Sequence, residues 1–424
     1  MLDFEEFMET VRRKIEPAYY KLVLIPGARR RQRIRIKEIR KRGSARVTFI
    51  VSSRPMWRFQ PLYDLLQRDS RFHVDIALFP FSNFSETEKD ESITELRSFF
   101  TGRSIPFCDL SHEREPGRVL RLMCNPDILF YPQPYNHFFR NDLDSPFFED
   151  CLISYIPYAM LTANESWAYK THLNNIAWRL FYSSESRRKE AAAVLYNHGK
   201  NIRVSGEIMA DVFSEPPCCE VWKPGNYKKR IIWAPHFSIS DGGWMHRNSF
   251  IWLHRFMWEV AVNYQDRIQF AFKPHPRLLT ELYNHPDWGK EKADAYYKQW
   301  AEGVNTQLVT GSYIDLFKES DAMIHDCGSF SVEYHYTGNP VMFTTRDLDA
   351  ALSNQNDLGR AGILAHYIGG SEANILSFIE DVVLSGADPR KQDRVLFYEK
   401  YLRPPGGKSV AENIYQEIAK SIWP

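Results

Sequence analysis

One short stretch carries residue types that could bind a phosphate group. The turn Asp326-Cys327-Gly328-Ser329 lies between an apolar run at 322–324 and a helical pattern at about 330–336. The first backbone N–H groups of such a helix have no partner inside it, and an anion such as a diphosphate can accept from them. Glu333, one turn further on, could accept from ribose hydroxyls, as acidic residues do in dinucleotide folds. The alternative is an ordinary strand–helix unit in which Ser329 only caps the helix.

Two histidines follow other predicted strands. His275 lies in Lys273-Pro274-His275-Pro276 after the apolar run 268–272, and His236 follows the run 230–235. A histidine beside a strand exit can donate to a developing phosphate charge. Lys273 and Arg277 could add positive potential, although both could simply face solvent.

These residues come together only if strands and helices alternate. From residue 46 onward, short apolar runs alternate with helical patterns, which predicts parallel sheets covered by helices on both faces. The predicted strands lie at about 47–51, 72–79, 106–108, 127–131, 152–156, 180–182, 202–204, 230–234, 268–272, 307–309, 322–324 and 340–343.

The positions of prolines and glycines in the chain predict its division into domains. The proline-containing stretch 214–227 is the one clear linker. We expect an N-terminal arm at 1–45, an acceptor domain at 46–215, a nucleotide-donor domain at 228–404 and a final helix at 405–424. Two such α/β domains place a cleft at the carboxyl ends of their sheets, where open α/β sheets bind ligands.

The composition limits the possible functions. A chain of 424 residues that is 44% hydrophobic and 25% charged, with a net charge of +1, suggests two globular domains and no nucleic-acid partner. The six cysteines have no zinc-binding spacing, and the adjacent Cys218 and Cys219 cannot easily form a disulfide with each other. The start of the chain is acidic and lacks the apolar core of a signal peptide, and no run reaches the ~20 apolar residues of a membrane span. We therefore expect a reduced, cytoplasmic protein.

One segment is strongly basic. Helical apolar spacing at Phe4, Phe7, Met8, Val11 and Ile15 precedes a cationic run of Arg29, Arg30, Arg31, Arg33, Arg35, Lys37, Arg40, Lys41 and Arg42. An apolar-faced helix followed by such a run predicts peripheral contact with an anionic membrane surface, on the inner face of the cell membrane. The run could equally hold an anionic polymer or be a solvated arm.

Short motifs in the second half follow a known order. They are Val204-Ser205-Gly206, Ile232-Trp233-Ala234-Pro235, Lys273-Pro274-His275-Pro276, the run from Ser320 to Asp326, Pro340-Val341-Met342-Phe343 with Arg346-Asp347, and Gly406-Gly407-Lys408-Ser409. Together they resemble the CDP-glycerol glycerophosphotransferase family, which builds teichoic-acid-like and capsular polyol-phosphate polymers. The resemblance implies two Rossmann-like domains of the glycosyltransferase-B type, with a C-terminal helix that packs back towards the first domain.

The resemblance also implies roles for individual residues. His275 corresponds to the histidine that contacts the donor diphosphate, and Glu333 to an acidic residue of the family. The family's Asp-Tyr-Ser-Ser turn appears as Asp326-Cys327-Gly328-Ser329, so one serine hydroxyl is missing, and Gly328 could let the diphosphate approach the backbone more closely. The predicted donor-binding set is Lys273, Arg277, Ser312, Asp326, Gly328, Ser329, Glu333 and Lys408, with His275 and His236 as the catalytic candidates.

The general base stays open. Where the family has a His-Gly-Thr-Pro turn, this chain has Ser154-Tyr155-Ile156-Pro157-Tyr158, and we place Tyr155 and Tyr158 on the acceptor side. Tyrosines are poor bases at neutral pH unless their pKa is lowered. His236, His172 and Asp75 are the other candidates. The pairs Asp142/Asp144 and Asp347/Asp349 lie in polar, loop-like surroundings, so we expect no metal and no other cofactor.

The sequence thus predicts a transferase that moves a polyol phosphate, most simply glycerol phosphate, from a CDP-polyol to a glycan or polymer hydroxyl and releases CMP. One alternative is a glycosyltransferase that uses a UDP- or CMP-sugar and a capsule or lipopolysaccharide acceptor. A second is an inactive relative that binds polymer.

Overall fold

The computed structural model describes residues 15–139, 142–158, 160–239 and 249–424. Most of the predicted N-terminal helix, including Phe4 to Val11, lies outside these residues. The described chain forms two compact units. The first holds the residues up to Tyr158, Glu165–Asp211 and Pro404–Pro424, and the second holds 160–164 and Val212–Arg403.

The first unit contains a seven-stranded sheet in the order β3-β2-β1-β4-β5-β6-β7, with every neighbouring pair parallel. Its strands are β1 Ala45–Val51, β2 Phe72–Leu78, β3 Cys108–Asp109, β4 Ile128–Tyr131, β5 Leu152–Tyr155, β6 Arg179–Tyr182 and β7 Ile202–Val204.

The second unit contains a six-stranded parallel sheet in the order β10-β9-β8-β11-β12-β13. Its strands are β8 Lys229–Ala234, β9 Ile268–Phe272, β10 Thr306–Leu308, β11 Ala322–His325, β12 Val341–Thr344 and β13 Tyr367–Gly369. Renumbered within the sheet, this is the 3-2-1-4-5-6 order of the Rossmann fold, and the first sheet has the same order with one strand added. The predicted pair of Rossmann-like domains is confirmed.

Helices connect these strands. The α-helices are Ile25–Arg42, Gln60–Arg68, Glu86–Thr101, Pro116–Met123, His172–Ile176, Glu185–Val194, Met209–Ser214, Ser249–Asn263, Leu278–Asn284, Gly289–Glu302, Ile314–Lys318, Phe330–Glu333, Leu348–Ser353, Asp357–Leu364, Glu372–Ser377, Lys391–Phe397 and Val410–Ile422. Shorter 3₁₀ or π segments are Tyr20–Leu24, Arg54–Met56, Asn136–Phe138, Ser145–Phe148, Ser166–Ala168, Tyr334–Thr337, Phe378–Leu384, Tyr398–Leu402 and Pro405–Gly407. In the part of the chain described, no helix is long and apolar enough to cross a membrane.

The strands form where the sequence is continuously apolar, because parallel strands are buried on both faces. Every residue of β9 and β11 is buried. Aromatic rings fill the space beside the second sheet, with Trp233 and Phe272 at 5.0 Å between ring centroids and Trp233 and Trp300 at 5.4 Å. This packing holds β8 and β9 firmly, and with them the loops at their carboxyl ends.

The C-terminal helix Val410–Ile422 belongs to the first unit, as expected from the fold. The Asp211 carboxylate accepts from the backbone N–H groups of Val410 at 2.8 Å and Ala411 at 2.6 Å. Further along the helix, Glu417 accepts from Arg179 at 2.7 Å and Arg203 at 2.8 Å. The helix is thus fixed at its start by a buried carboxylate and in its middle by two arginines.

The basic segment is also part of the first unit, as the helix Ile25–Arg42, which ends at Gly43 with a φ of 80°. Arg35 pairs with Asp150 at 2.9 Å, Arg31 pairs with Glu149, and Arg42 pairs with Asp127. The other basic residues of the helix exterior are exposed: Arg29, Arg30, Arg33, Lys37, Arg40 and Lys41. The segment is therefore a packed helix with one cationic outer face.

The proline-containing stretch 214–227 differs from a free linker, because it packs on the second unit. Trp222 in this stretch is 2% exposed, and its indole N–H donates to the Leu316 carbonyl at 3.4 Å. Lys223 is fixed as well, since its backbone N–H donates to Gln307 at 2.8 Å. The prolines alone would favour an open turn, but the burial of Trp222 fixes this stretch against the second unit.

We expect Asp211→Ala to lower the free energy of unfolding of the first unit. The change leaves two buried N–H groups at the start of the C-terminal helix without an acceptor, at a cost of about 1–3 kcal/mol each. Asp211→Asn keeps one oxygen acceptor and should lose less. Urea unfolding of the full chain measures both variants. An unchanged Asp211→Ala midpoint would contradict the role of this carboxylate.

Candidate functional site

Three loops meet at the carboxyl edge of the second sheet, where the strand order reverses between β8 and β11. The loop after β9 continues alongside the loop after β8, because Lys273 N–H donates to Trp233 O at 2.8 Å and His275 N–H to Pro235 O at 3.0 Å. The loop after β11 joins them through Asp326, whose Oδ1 accepts from His236 N–H at 2.6 Å. Such a reversal point is where open α/β sheets bind ligands.

Asp326 is fully buried and organises this edge. Its second oxygen, Oδ2, accepts from the backbone N–H of Ser249 at 3.1 Å, at the start of the helix Ser249–Asn263. The carboxylate therefore ties the loop after β8 and this helix start to the turn after β11. Asp326 thus has a structural role in the turn, and its direct contact with the donor stays a prediction.

The two candidate catalytic histidines lie side by side. Their ring centroids are 5.1 Å apart. In each ring Nδ1 accepts from the backbone N–H two residues further on, His236 from Ser238 and His275 from Arg277, both at 3.2 Å. Since the Nδ1 lone pair is used, the proton of each neutral ring resides on Nε2. Both histidines are thus set up as Nε2–H donors, which speaks against His236 as the general base.

Burial, followed by the charges of Lys273 and Arg277, lowers the pKa of His275 to about 4. The ring is therefore neutral near pH 7. A neutral N–H donor can stabilise a phosphate oxygen without the desolvation cost of a second buried cation.

Lys273 is the buried cation of this edge. It is 4% exposed, and burial lowers the pKa of its ammonium below the usual 10.5, while the nearby Cys327 thiol acts in the opposite direction. Among the residues that the structure describes, no carboxylate pairs with it. A buried charge without a counter-ion is costly, so an anion bound here would be strongly favoured.

The turn after β11 offers further donors. The backbone N–H of Cys327 is used by His325 Nδ1 at 3.1 Å, and the Ser331 hydroxyl donates to Gly328 O at 2.5 Å. The backbone N–H groups of Gly328, Ser329 and Phe330, together with the Ser329 hydroxyl, make no hydrogen bond to any described residue. Ser329 stands at the helix N-cap but makes no capping hydrogen bond with its side chain. The Ser329 side chain therefore does not cap this helix, and its contact with a donor stays a prediction.

Glu333 lies behind this turn, 1% exposed, and accepts from the hydroxyl of Tyr313. The predicted contact of Glu333 with a ribose would have to share the carboxylate with Tyr313. Sequence reasoning missed Tyr313, whose only signal was its place beside the predicted Ser312, which is exposed and precedes the helix Ile314–Lys318.

The remaining predicted donor-side residues are placed differently. The exposed Arg277 pairs with Glu281 at 2.8 Å, and its guanidinium lies over the Phe237 ring at 4.2 Å. Lys408 belongs to the first unit, where it donates to Gln416 at 2.6 Å. Within the second unit the fold brings His236, Lys273, His275 and the turn after β11 to one edge, and Lys408 stays a separate prediction.

The first sheet has its own reversal point, between β1 and β4. The register that pairs Val47 with Ile128 and Phe49 with Phe130, continued to the strand exits, brings Ser52 level with Gln133. Both are buried, and neither Ser52 Oγ nor Gln133 Nε2 has a hydrogen-bond partner in the described chain. Unsatisfied buried polar atoms at such an edge suit a polar ligand. Sequence reasoning missed this pair, whose only signal was polarity directly after an apolar run.

The candidate bases of the first unit fit that role poorly. Burial raises the pKa of the Tyr155 and Tyr158 phenols above the usual 10, so both stay protonated at neutral pH. Asp75 lies in the middle of β2, away from the strand exits, and burial raises its pKa. His172 packs against the N-terminal helical segment, with its Nδ1 3.1 Å from the Tyr20 hydroxyl. Tyr155 and Tyr158 stay predicted acceptor-side contacts.

The two Asp-x-Asp pairs mostly hold backbone groups. Asp142 accepts from Gly117 N–H at 2.9 Å, Asp144 from Phe147 N–H at 3.4 Å and Asp347 from Ala350 N–H at 2.9 Å, while Asp349 is exposed. Carboxylates engaged in this way serve the local fold.

Comparison with known proteins supports the architecture. No family model and no curated protein matches the chain. Among solved structures, Staphylococcus aureus MnaA in complex with UDP is 16% identical and covers 89% of this chain and 97% of its own, with a TM-score of 0.55. UDP-GlcNAc 2-epimerase from Neisseria meningitidis bound to UDP-GlcNAc is 14% identical and covers 88% and 99%, with a TM-score of 0.53.

A variant of the wall teichoic acid polymerase TagF is 11% identical and covers 98% of this chain and 98% of its own, with a TM-score of 0.58. The same polymerase soaked with CDPG covers 100% of this chain, with a TM-score of 0.56. At these identities the likeness shows the fold: the chain has two Rossmann-like units of the glycosyltransferase-B type. These structural neighbours are enzymes.

We expect Lys273→Met to weaken binding of CDP by about 10–100-fold, the effect of losing one charged hydrogen bond. The same change should raise the thermal midpoint of the unliganded protein, because a buried charge is replaced by an apolar side chain of similar size. Calorimetric titration and thermal unfolding measure the two effects. Lys298→Met, which changes an exposed lysine of the same unit, is the control and should alter neither. Unchanged CDP affinity in Lys273→Met would rule out an anion site at this lysine.

Proposed function

We propose that this protein is a transferase that moves a polyol phosphate, most simply glycerol phosphate, from a CDP-polyol to a hydroxyl of a cell-surface glycan or polymer and releases CMP. The proposal rests on three groups at one edge of the second sheet. They are the buried Lys273 ammonium, the neutral His275 donor, and the backbone N–H groups after Cys327 that make no hydrogen bond to a described residue. This set suits the negative charge of a donor diphosphate. The motif resemblance to CDP-glycerol glycerophosphotransferases and the TagF likeness support the choice of donor.

The chemistry follows from these positions. The acceptor hydroxyl attacks the distal phosphorus of the diphosphate and gives its proton to a general base, and the bond from that phosphorus to the bridging oxygen breaks. The electron pair of this bond leaves with CMP. The Lys273 ammonium, His275 Nε2–H, the amides of Gly328 and Ser329 and the Ser329 hydroxyl stabilise the charge that develops on the leaving phosphate. Glu333 holds the ribose.

In this proposal the first unit binds the acceptor. Ser52 and Gln133 offer polar groups at its reversal point, and Tyr155 and Tyr158 contribute contacts as protonated phenols. Both tyrosines stay protonated because their pKa is raised, and His236 carries its proton on Nε2. The general base is therefore another residue or a group of the acceptor itself.

The test is a donor panel with two histidine variants. Purified protein is incubated with CDP-glycerol, CDP-ribitol, UDP-sugars and CMP-sugars in the presence of crude membranes, and release of CMP or UDP is followed. We expect CMP from a CDP-polyol, and a loss of about 10²–10³ in turnover for His275→Ala, the size expected for one charge-stabilising donor. A phosphodiester product identifies the polyol-phosphate transfer.

The matched control is His285→Ala. His285-Pro286-Asp287 repeats the local arrangement of His275-Pro276-Arg277, because the backbone N–H of Asp287 donates to His285 Nδ1 at 3.2 Å. It should keep full turnover. Near-normal turnover in His275→Ala would refute the assigned role, and the absence of a response to any nucleotide would favour the inactive polymer-binding relative.

A glycosyltransferase with a UDP- or CMP-sugar donor is the second candidate. Gly328, in place of the family's serine, favours it, and so do the MnaA–UDP and epimerase–UDP-GlcNAc structures of the same fold. A glycosidic bond in the product of the donor panel, formed with release of UDP or CMP from a nucleotide sugar, would select this candidate.

We also propose that the protein works in the cytoplasm, bound peripherally to the inner face of the cell membrane. The exposed face of the N-terminal helical segment carries Leu22, 76% exposed, and Val23, 53% exposed. The exposed cationic residues Arg29, Arg30, Arg33, Lys37 and Lys41 follow on the same segment. Apolar and cationic groups on one exposed face suit an anionic lipid surface.

We expect the double change Arg30→Glu and Arg33→Glu to weaken binding to phosphatidylserine-containing vesicles at least tenfold, since each basic residue contributes roughly 1 kcal/mol. Neutral vesicles should bind weakly in all cases. Co-sedimentation measures the effect, and Lys290→Glu with Lys298→Glu is the charge-matched control on the second unit. Equal loss in both double variants would mean that total charge, and not this face, determines vesicle binding.

A further inference from the structure

Two thiols and a carboxylate meet on the surface of the second unit. Cys218 and Cys219 lie in the proline-containing stretch, and Asp315 lies in the helix Ile314–Lys318. Cys218 Sγ is 2.9 Å and Cys219 Sγ 3.5 Å from the same oxygen, Asp315 Oδ2. The three potential ligand atoms all lie within 4.8 Å of one another.

These separations are close to those of a metal centre. Zinc binds thiolate sulfur at about 2.3 Å and carboxylate oxygen at about 2.0–2.2 Å, which in a tetrahedron separates neighbouring ligand atoms by roughly 3.5–3.8 Å. Small side-chain rotations would bring the three atoms to such distances. The two cysteines are exposed, so a metal ion can reach them from solvent.

We propose that Cys218, Cys219 and Asp315 form a binding site for a thiophilic divalent cation, with zinc as the first choice. Three protein ligands leave the fourth tetrahedral position to water. Thiolate ligands favour zinc over magnesium or calcium, which prefer oxygen ligands. The proposal is independent of the transferase function.

The scaffold around the site holds both ligand-bearing segments in place. Buried Trp222 donates to Leu316 O, and therefore links the cysteine segment to the helix that carries Asp315. Gln307 accepts from Lys223 N–H and donates to Val221 O at 3.1 Å, so the same segment is also fixed to β10. The ligands thus lie on two segments that are already packed together, which lowers the entropic cost of closing the site.

Metal binding displaces protons from the thiols. Thiols bind a metal ion as thiolates, so binding of M²⁺ to both cysteines releases both thiol protons. Since protons compete with the metal for these ligands, affinity should rise with pH. Lys318, 3.9 Å from Asp315 Oδ1, offsets part of the negative charge of the loaded site.

The experiment is a titration of the full-length, reduced and chelator-treated protein with Co²⁺, followed by competition with Zn²⁺. We expect one bound ion with a thiolate-to-cobalt charge-transfer band in the near ultraviolet, which Zn²⁺ abolishes. Cys218→Ser and Cys219→Ser should each lose most of the band. Asp315→Asn should weaken binding at least tenfold, because even residues outside the ligand set change metal affinity by about 10–100-fold.

Cys108→Ser is the matched control, since Cys108 is a partly exposed thiol of the first unit. It should keep the band, the stoichiometry and the affinity. The proposal is overturned if the reduced protein shows no charge-transfer band, or if the band survives in the double variant of Cys218 and Cys219. Circular dichroism of each variant confirms that a lost band does not reflect an unfolded chain.

Discussion

The carboxylate of Asp326 is the interaction on which the candidate site depends. It is buried, and such a charge is tolerated only when its oxygens find donors. Here they accept backbone N–H groups from the loop after β8 and from the helix that starts at Ser249. Lys273 is the opposite case, because it has no counter-ion among the described residues. The hydrogen-bonded carboxylate organises this edge of the sheet, and a buried ammonium without a counter-ion among the described residues would favour an anion there.

Much of the fold is predictable from sequence because parallel strands buried on both faces are continuous apolar runs. All of the predicted strands are present, and the turn between β11 and its helix is where the sequence places it. The edge strand Tyr367–Gly369 is missed because it is short and only partly buried. The C-terminal third also contains π segments such as Phe378–Leu384, which break the helical spacing that a sequence pattern relies on.

The site is predictable only in part. His275, Lys273 and Ser329 follow apolar runs and are recognisable by position, but which ring nitrogen carries the proton depends on backbone contacts that no spacing reveals. Two further features are visible only in the folded chain. They are the hydrogen bond from Tyr313 to Glu333 and the alignment of Ser52 with Gln133 at the strand exits. The thiol–carboxylate cluster is the extreme case, because Cys219 and Asp315 are 96 positions apart in the chain. The helical period also decides which basic residues are exposed. Arg31 and Arg35 pair with carboxylates, whereas Arg33, Lys37 and Lys41 lie on the exposed side.

The position of the helix Val410–Ile422 has a consequence for biosynthesis. Ile414, Ile418 and Ile422 are fully buried in the first unit, although the whole of Val212–Arg403 is translated before them. Most of the first unit's sequence therefore emerges from the ribosome long before that unit can complete its core. The second unit, although it is made later, has its complete sequence before the first unit does. Until residue 422 has been synthesised, the first unit exposes the apolar surface that this helix covers, and chaperones have their longest access to it then.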